Sequence, residues 1–229
     1  MEPDKGYWII VEYTTSLCLK DAIPIDPLIT YNLHAGANLI SFPYGGSILV
    51  QDAIAPELSS SFSGFIGEGV AASPNPILGW VGSLTHFKKG KGYWLKSDIN
   101  MYFNFDPINC TESSSSLARI NHKQTEKSYI QSTEQAFYFI EDIENIELGV
   151  IVSSYCNDTK VGSRVWNGSY TDIPAMGNDD NNYSAGYIKA GDTPTFKVYD
   201  ASDNRYYIAT PLENIPYGGN TFTSFIDSP

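Results

Sequence analysis

One short pattern occurs twice in this chain, and it constrains the fold more than any other feature. Lys5-Gly6-Tyr7-Trp8-Ile9-Ile10 returns as Lys91-Gly92-Tyr93-Trp94-Leu95, inside the stretch 90–105. Tyr7 matches Tyr93, Trp8 matches Trp94 and Leu17 matches Phe103, all at one offset (93 − 7 = 86). A fixed offset marks duplicated structural units. The expectation is a partial first unit, its closing strands only, followed by a complete second copy.

The rest of the chain reads as strands and turns. Aromatic residues reach 14% and charged residues only 17%, with 19 Gly and 13 Pro, a mixture that favours short strands and frequent turns. At 229 residues and 42% hydrophobic content there is enough apolar surface for one large β domain or two smaller ones. Residues 7–11 and 15–19 read as two strands, and Pro24 and Pro27 as a rigid spacer. Two apolar runs, 29–33 and 39–42, flank His34-Ala35-Gly36-Ala37-Asn38 and predict a β-hairpin. Ile48, Leu49, Ala53 and Ile54 predict one short helix over 47–55, with Ser47 as N-cap. Residues 64–72 predict a strand kinked by glycines, with Gly67-Glu68-Gly69 a bulge or turn rather than a phosphate loop.

Beyond residue 109 the chain turns polar, with four consecutive serines and no apolar period, which reads as a linker to residue 133. Strand signals resume at 136–140, 150–155, 160–166, 195–199, 205–209 and 221–226, separated by Asn- and Gly-rich turns. Phe137 and Phe139 are expected to face inward against Tyr138, as are Phe196 and Val198 against Lys197. The reading is all-β: one and a half β-rich repeats with a short helix, then an immunoglobulin-like antiparallel β-sandwich. The boundaries are 1–26 for the partial repeat, 27–108 for the complete one, 109–133 for the linker and 134–229 for the sandwich.

Residues 31–43 (YNLHAGANLISFP), 66–72, 80–84 and 90–94 resemble a repeat in large surface proteins of marine bacteria. Similar repeats occur in virion structural proteins of marine phages, notably those of cyanobacteria. Residues 135–139, 161–166, 174–177 and 196–200 resemble the β-sandwich module that often follows such repeats. The resemblance implies a displayed, non-catalytic module, and this copy departs from it in lacking the first half of its first unit.

Charge and motifs narrow the function classes. A net charge of −12 argues against nucleic acid, whose phosphates need Lys and Arg, and against anionic lipid. No apolar run approaches membrane-spanning length, so no membrane insertion is expected. Met1-Glu2-Pro3-Asp4 has neither the basic start nor the apolar segment of a secretory signal. That suits either a piece of a larger secreted protein or a virion protein. Cys18, Cys110 and Cys156 read as free thiols, with one disulfide and a leftover as the alternative. The four Asn-x-Ser/Thr sequences, at Asn109, Asn157, Asn167 and Asn182, carry no weight in a bacterial or viral protein.

A hydrolytic triad needs a base, and His34, His86 and His122 all stand outside any diagnostic motif. Glu68 is the carboxylate to inspect first for a glycosidase, with a solvated strand-edge Glu as the plainer reading. No catalytic residue and no cofactor is assigned, apart from Ca²⁺ as an option. Asp179, Asp180, Asp200 and Asp203 crowd hard oxygen ligands into turns, against the plainer reading of ordinary Asx turns. Trp80, Tyr93, Trp94 and Trp166 are candidate sugar-stacking rings, although the repeated Tyr-Trp pair argues first for packing. The expected function is a structural or adhesion module on a virion (capsid, tail or fibre) or an extracellular cell surface. Its partners would be other copies of itself, other virion or surface proteins, or cell-surface glycans. A carbohydrate-binding module is the alternative.

Overall fold

A computed structural model describes residues 2, 4–18, 25–106, 129–144, 146–202, 204–218 and the backbone of 222–228. The chain is all-β and divides into two compact units. Unit 1 comprises Met1–Gly67, Pro74–Trp80 and Leu84–Ser115, and unit 2 comprises Glu68–Ser73, Val81–Ser83 and Ser116–Pro229. The expected linker therefore ends earlier than residue 133, because Tyr129 and Ser132 are already buried.

In chain order the first half carries β1 (Tyr31–Leu33), β2 (Gly36–Ser41), β3 (Ser47–Leu49), the one-turn helix α1 (Val50–Ala53) and a 3-10 helix (Pro56–Ser61). Then come β4 (Phe62–Gly67), β5 (Val70–Asn75), β6 (Gly79–Val81), β7 (His86–Lys88), β8 (Gly92–Ser97) and β9 (Met101–Phe103). Alternation in β8 puts Tyr93, Leu95 and Ser97 inward and leaves Trp94 and Lys96 half-buried. Rings fill the core of unit 1. Phe87 stacks on Phe42 at 5.7 Å between centroids and meets Phe65, Tyr93 and Phe105 edge-on.

The expected hairpin over 29–42 is not formed. Tyr31 in β1 pairs with Phe103 in β9, whereas β2 runs antiparallel to β8. Asn38 makes the corner between them. Its buried side chain accepts the His34 N–H at 3.0 Å and donates to the carbonyls of His34 and Gly36 at 2.8 and 3.1 Å. Gly36 turns the chain at φ 106°, a conformation that side-chain-bearing residues rarely adopt. The chain thus changes partner at the corner instead of folding back.

The helix over 47–55 is shorter than expected. Ser47, Ile48 and Leu49 form β3 against β7, so Ser47 is no cap. The glycine-kinked strand is two strands, β4 and β5, divided by a turn at Glu68-Gly69 with Gly69 at φ 65°.

The two copies of the echoed pattern differ in structure. Residues 92–103 form β8 and β9, but residues 6–18 form no strand. Among the described residues, a single bridge, Lys5 to Ile40, and the Gly6 N–H to Leu39 carbonyl bond at 3.1 Å tie the backbone of the first copy to the edge of β2. A Cβ on Gly92 would stand 3.3 Å from the Cα of Gly6, so the two glycines permit this close approach. Beyond Trp8 the side chains are exposed. The expected strand pair at 7–11 and 15–18 therefore fails, because a strand needs a partner for its backbone and the described residues supply one only at Lys5-Gly6. Leu19 lies outside the described residues.

Unit 2 contains β10 (Gln135–Ile143), β11 (Ile151–Cys156), β12 (Thr159–Val165), β13 (Thr171–Met176), a 3-10 turn (Asn182–Ser184), β14 (Thr195–Asp200), β15 (Arg205–Ala209) and β16 (Phe222–Ser228). They form two sheets, with orders β13-β10-β16 and β12-β11-β14-β15, in a sandwich-like arrangement. All the expected strands are present, and β13 is an addition. Its Pro174 argues against a strand in sequence, but β13 is an edge strand, where a missing N–H is tolerated. The pairing is not wholly antiparallel either, because β16 runs parallel to β10.

The facing of β10 is the reverse of the expected one. Ala136, Tyr138 and Ile140 belong to the core shared with Phe196 and Val198. Phe137 and Phe139 are buried on the other face, where the Phe139 ring lies so close to Gly82 that a Cβ there would stand 2.7 Å away. Both faces of β10 are covered, so hydrophobicity alone cannot reveal which is inward. Where β12 crosses β13, a Cβ on Gly162 would fall 1.7 Å from the Pro174 carbonyl oxygen, so only glycine fits.

Candidate functional site

The four sequence-nominated rings separate into two kinds. Trp166 is 3% exposed in the core of unit 2, and Tyr93 is 4% exposed in unit 1 with its hydroxyl accepting the Lys88 N–H at 2.9 Å. Neither can stack on a sugar, because packing hides the ring faces. Trp80 and Trp94 are half-buried and line clefts of unit 1.

The Trp80 cleft has a volume of about 520 Å³, within the usual range for small-ligand sites. Trp80 stands on β6 and lies against Phe65, with centroids 4.4 Å apart and planes inclined by 33°. Phe65 thus fixes the indole from behind. Pro74 lies near the end of β5, Pro76 in the β5–β6 connection, and Pro56, Ser59 and Ser60 on the 3-10 helix. Asn75 holds that connection, its side-chain oxygen accepting the N–H groups of Ile77 and Leu78 at 2.9 Å each. The tip beside the cleft is apolar, with Ile77 91% exposed. None of the cleft residues is ionisable.

The Trp94 cleft is smaller, about 260 Å³, and more polar. Asp4, Lys5, Asn32, His34 and Asn38 share its lining. The indole Nε1 of Trp94 is buried without a hydrogen-bond partner, as is that of Trp8. The two echoed tryptophans have this feature in common even though their backbones differ.

The turn aspartates are occupied. Asp179 accepts the Ser184 hydroxyl at 2.6 Å, the Thr133 N–H and hydroxyl at 3.2 and 3.1 Å, the Asn181 N–H at 3.3 Å and the Tyr183 hydroxyl. Burial alone would raise its pKa, but hydrogen bonds from Ser184, Tyr183, Thr133 and Asn181 hold the carboxyl below its ordinary range. The same contact, after burial, pushes Tyr183 up to about 12. Such a carboxylate organises a turn and has little left for a cation. Asp180 is exposed at φ 62°, and Asp200 accepts the Ser202 N–H and hydroxyl at 2.8 and 2.7 Å. Asp200 thus makes an Asx turn, whereas Asp180 donates its N–H to the Asn178 side chain at 2.8 Å, an Asx turn of Asn178. Asp203 lies outside the described residues. Among the described residues no group of three or more His, Cys, Asp and Glu is placed to hold a metal.

The remaining nominees are scattered. His34 is exposed at the β1–β2 corner, and Glu68 is exposed on the β4–β5 turn. His86 sits beside the Thr85 hydroxyl, its pKa lowered by burial and then by Lys88. His122 and Cys110 lie outside the described residues, and Cys18 and Cys156 are free thiols. Among the described residues no helix is long and apolar enough to cross a membrane.

Sequence reasoning passed over the most buried carboxylate among the described residues. Asp172, 1% exposed on β13, accepts the Ser83 N–H and hydroxyl, each at 2.7 Å, and Arg164 Nη2 at 2.9 Å. Arg164 also donates from Nε to the Asp172 carbonyl and from Nη2 to the Gly69 carbonyl, at 2.9 and 2.8 Å. Burial raises the Asp172 pKa, and Arg164 and Ser83 only partly offset it. This network fastens 68–73 and 81–83 into unit 2. Nothing in the local sequence marks it, since its bonded pairs lie up to 95 residues apart. No family model, curated protein or solved structure matches the chain.

Proposed function

We propose that the chain is a non-enzymatic adhesion module displayed on a virion or an extracellular cell surface. The Trp80 cleft carries this reading. Its nine lining residues offer an anchored indole, three prolines and a few neutral hydrogen-bonding groups, with no acid or base. Such a lining can hold a ligand but has no group to move a proton, which hydrolytic chemistry requires. The exposed apolar arm supports association with other copies of the chain or with other surface proteins. Ile9, Ile10, Val11 and Leu17 are each more than half exposed there.

A carbohydrate-binding module is the second reading, favoured by the same indole. A sugar ring can lay its C–H face on an indole while Gln51, Ser59 and Ser60 meet its hydroxyls. Binding of the full chain to a glycan array and to whole cells tests both. Trp80→Ala is expected to abolish capture in whichever assay shows it. Undiminished capture by that variant would remove the cleft from the function.

A further inference from the structure

The exposed face of the four-stranded sheet in unit 2 has a charge opposite to that of the chain. Strands β11, β12, β14 and β15 contain Lys160, Arg164, Lys197 and Arg205 but a single acid, Asp200, in a chain of net charge −12. Arg164 is committed to Asp172, and Asp200 stands opposite Arg205 in the register at the end of β14 and β15. Phe196 and Val198 point into the core, so Lys197 and Tyr199 point out. Cross-strand partners share a face, which adds Ile208 opposite Lys197 and Tyr206 opposite Tyr199. On β11, Tyr155 stands opposite Thr195 on one side and Lys160 on the other.

These side chains form one surface. Lys197 Nζ lies 4.4 Å from the centre of the Tyr155 ring, a cation–π distance. Tyr199 and Tyr206 are 4.9 Å apart with planes inclined by 40°. Tyr155 is pushed up by burial and then by Tyr206. Tyr206 and Ile208 are 64% and 79% exposed. Monomers seldom leave such a surface uncovered without a use for it.

We propose that this face is a second binding site, for an acidic oligosaccharide whose rings stack on Tyr155, Tyr199 and Tyr206 and whose carboxylates meet Lys160 and Lys197. The tyrosine rings suit pyranose faces, and the two lysines select the acidic ones. Nucleic acid fits less well. Two lysines neutralise about two phosphates, too few to hold a dense polyanion against the acidic remainder of the chain.

The test is calorimetric titration of the full chain with tetragalacturonate, its methyl ester and oligo(dT), at low salt. The acid form is expected to bind at least about tenfold more tightly than the ester. Tyr206→Ala and Lys197→Ala should each weaken it by roughly tenfold, because each removes one stacking or one charge contact. Trp80→Ala should leave it unchanged, which separates this site from the cleft of unit 1. Both unit 2 substitutions lie on the surface, and unchanged melting temperatures would establish that the variants are folded. Equal binding of acid and ester, no binding of either, tighter binding of oligo(dT), or indifference to Tyr206 and Lys197 would each overturn the proposal.

Discussion

Phe87 in unit 1 and Asp172 in unit 2 are equally hidden, at 0% and 1% exposure, yet they hold their surroundings by opposite physics. Phe87 touches four other rings and gains from dispersion and from leaving water. Asp172 lost its hydration to reach its place, and Arg164 with Ser83 returns that loss only in part. A ring cluster weakens by degrees when one member shrinks. A buried ion pair fails sharply when one partner goes, because the other charge is left without solvent or counter-charge.

The contrast predicts the largest effect at the ion pair. Asp172→Ala should cost about 3–5 kcal/mol by chemical denaturation, since it strands Arg164 and the Ser83 donors. Replacing both partners, Asp172→Leu with Arg164→Met, should recover most of that loss, as paired removal avoids the orphaned charge. Phe87→Ala should cost about 3–4 kcal/mol, and Phe87→Leu markedly less. If the double replacement in unit 2 were worse than Asp172→Ala, the ion pair would be a net source of stability and the contrast would collapse.

Acid sharpens the comparison within unit 2, because the pKa values of Asp172 and Asp179 shift in opposite directions. Asp179 is held below its ordinary pKa, so its stabilising contribution is complete above the unfolded value of about 3.9 and fades as pH falls through the folded value. Asp172 is held above its ordinary pKa, so its contribution declines as pH rises from that value through the folded one. Of these two, only Asp179 contributes to a loss of stability as pH falls below about 4. Asp179→Asn should cost about 1–2 kcal/mol at neutral pH, as an amide cannot accept from all the surrounding donors. It should also flatten the acid limb of the urea midpoint against pH. An unchanged acid limb would mean that other carboxylates govern it.

What could be read in sequence follows the same division. The strands of unit 2 were legible because period-2 patterns and Asn-Gly turns are local signals. The ring core of unit 1 was legible as composition, though not its pairing. Asn38, which redirects β1 and β2 to separate partners, looks like an ordinary turn residue. The Arg164–Asp172 network was invisible, since its members meet only after the chain has folded. Of the nominated rings, only tertiary burial could separate Trp80 and Trp94 from Tyr93 and Trp166. For Asp179, the crowding of oxygen groups was visible, but the donors at Thr133 and Ser184 that use them up were not.

The smallest effect is expected in the arm, where the echoed pattern has no core to join. Tyr7 and Tyr93 are counterparts in sequence, but Tyr7 is 47% exposed and Tyr93 is 4% exposed. Tyr93→Ala opens a hole beside Phe87, whereas Tyr7→Ala removes a ring already half in water. The first should cost about 3 kcal/mol, and the second should stay within about 0.5 kcal/mol. Ile10→Ser should be equally silent in stability, because Ile10 is 58% exposed. Limited proteolysis gives an independent readout. With neither helix nor strand over 6–18, cleavage there should precede any cut within 92–103. Protection of the arm in a concentrated sample, with cleavage restored on dilution, would show that a second chain supplies the missing strand partner. Protection at every dilution would mean that the arm pairs within its own chain, and the contrast between the two copies would then be lost.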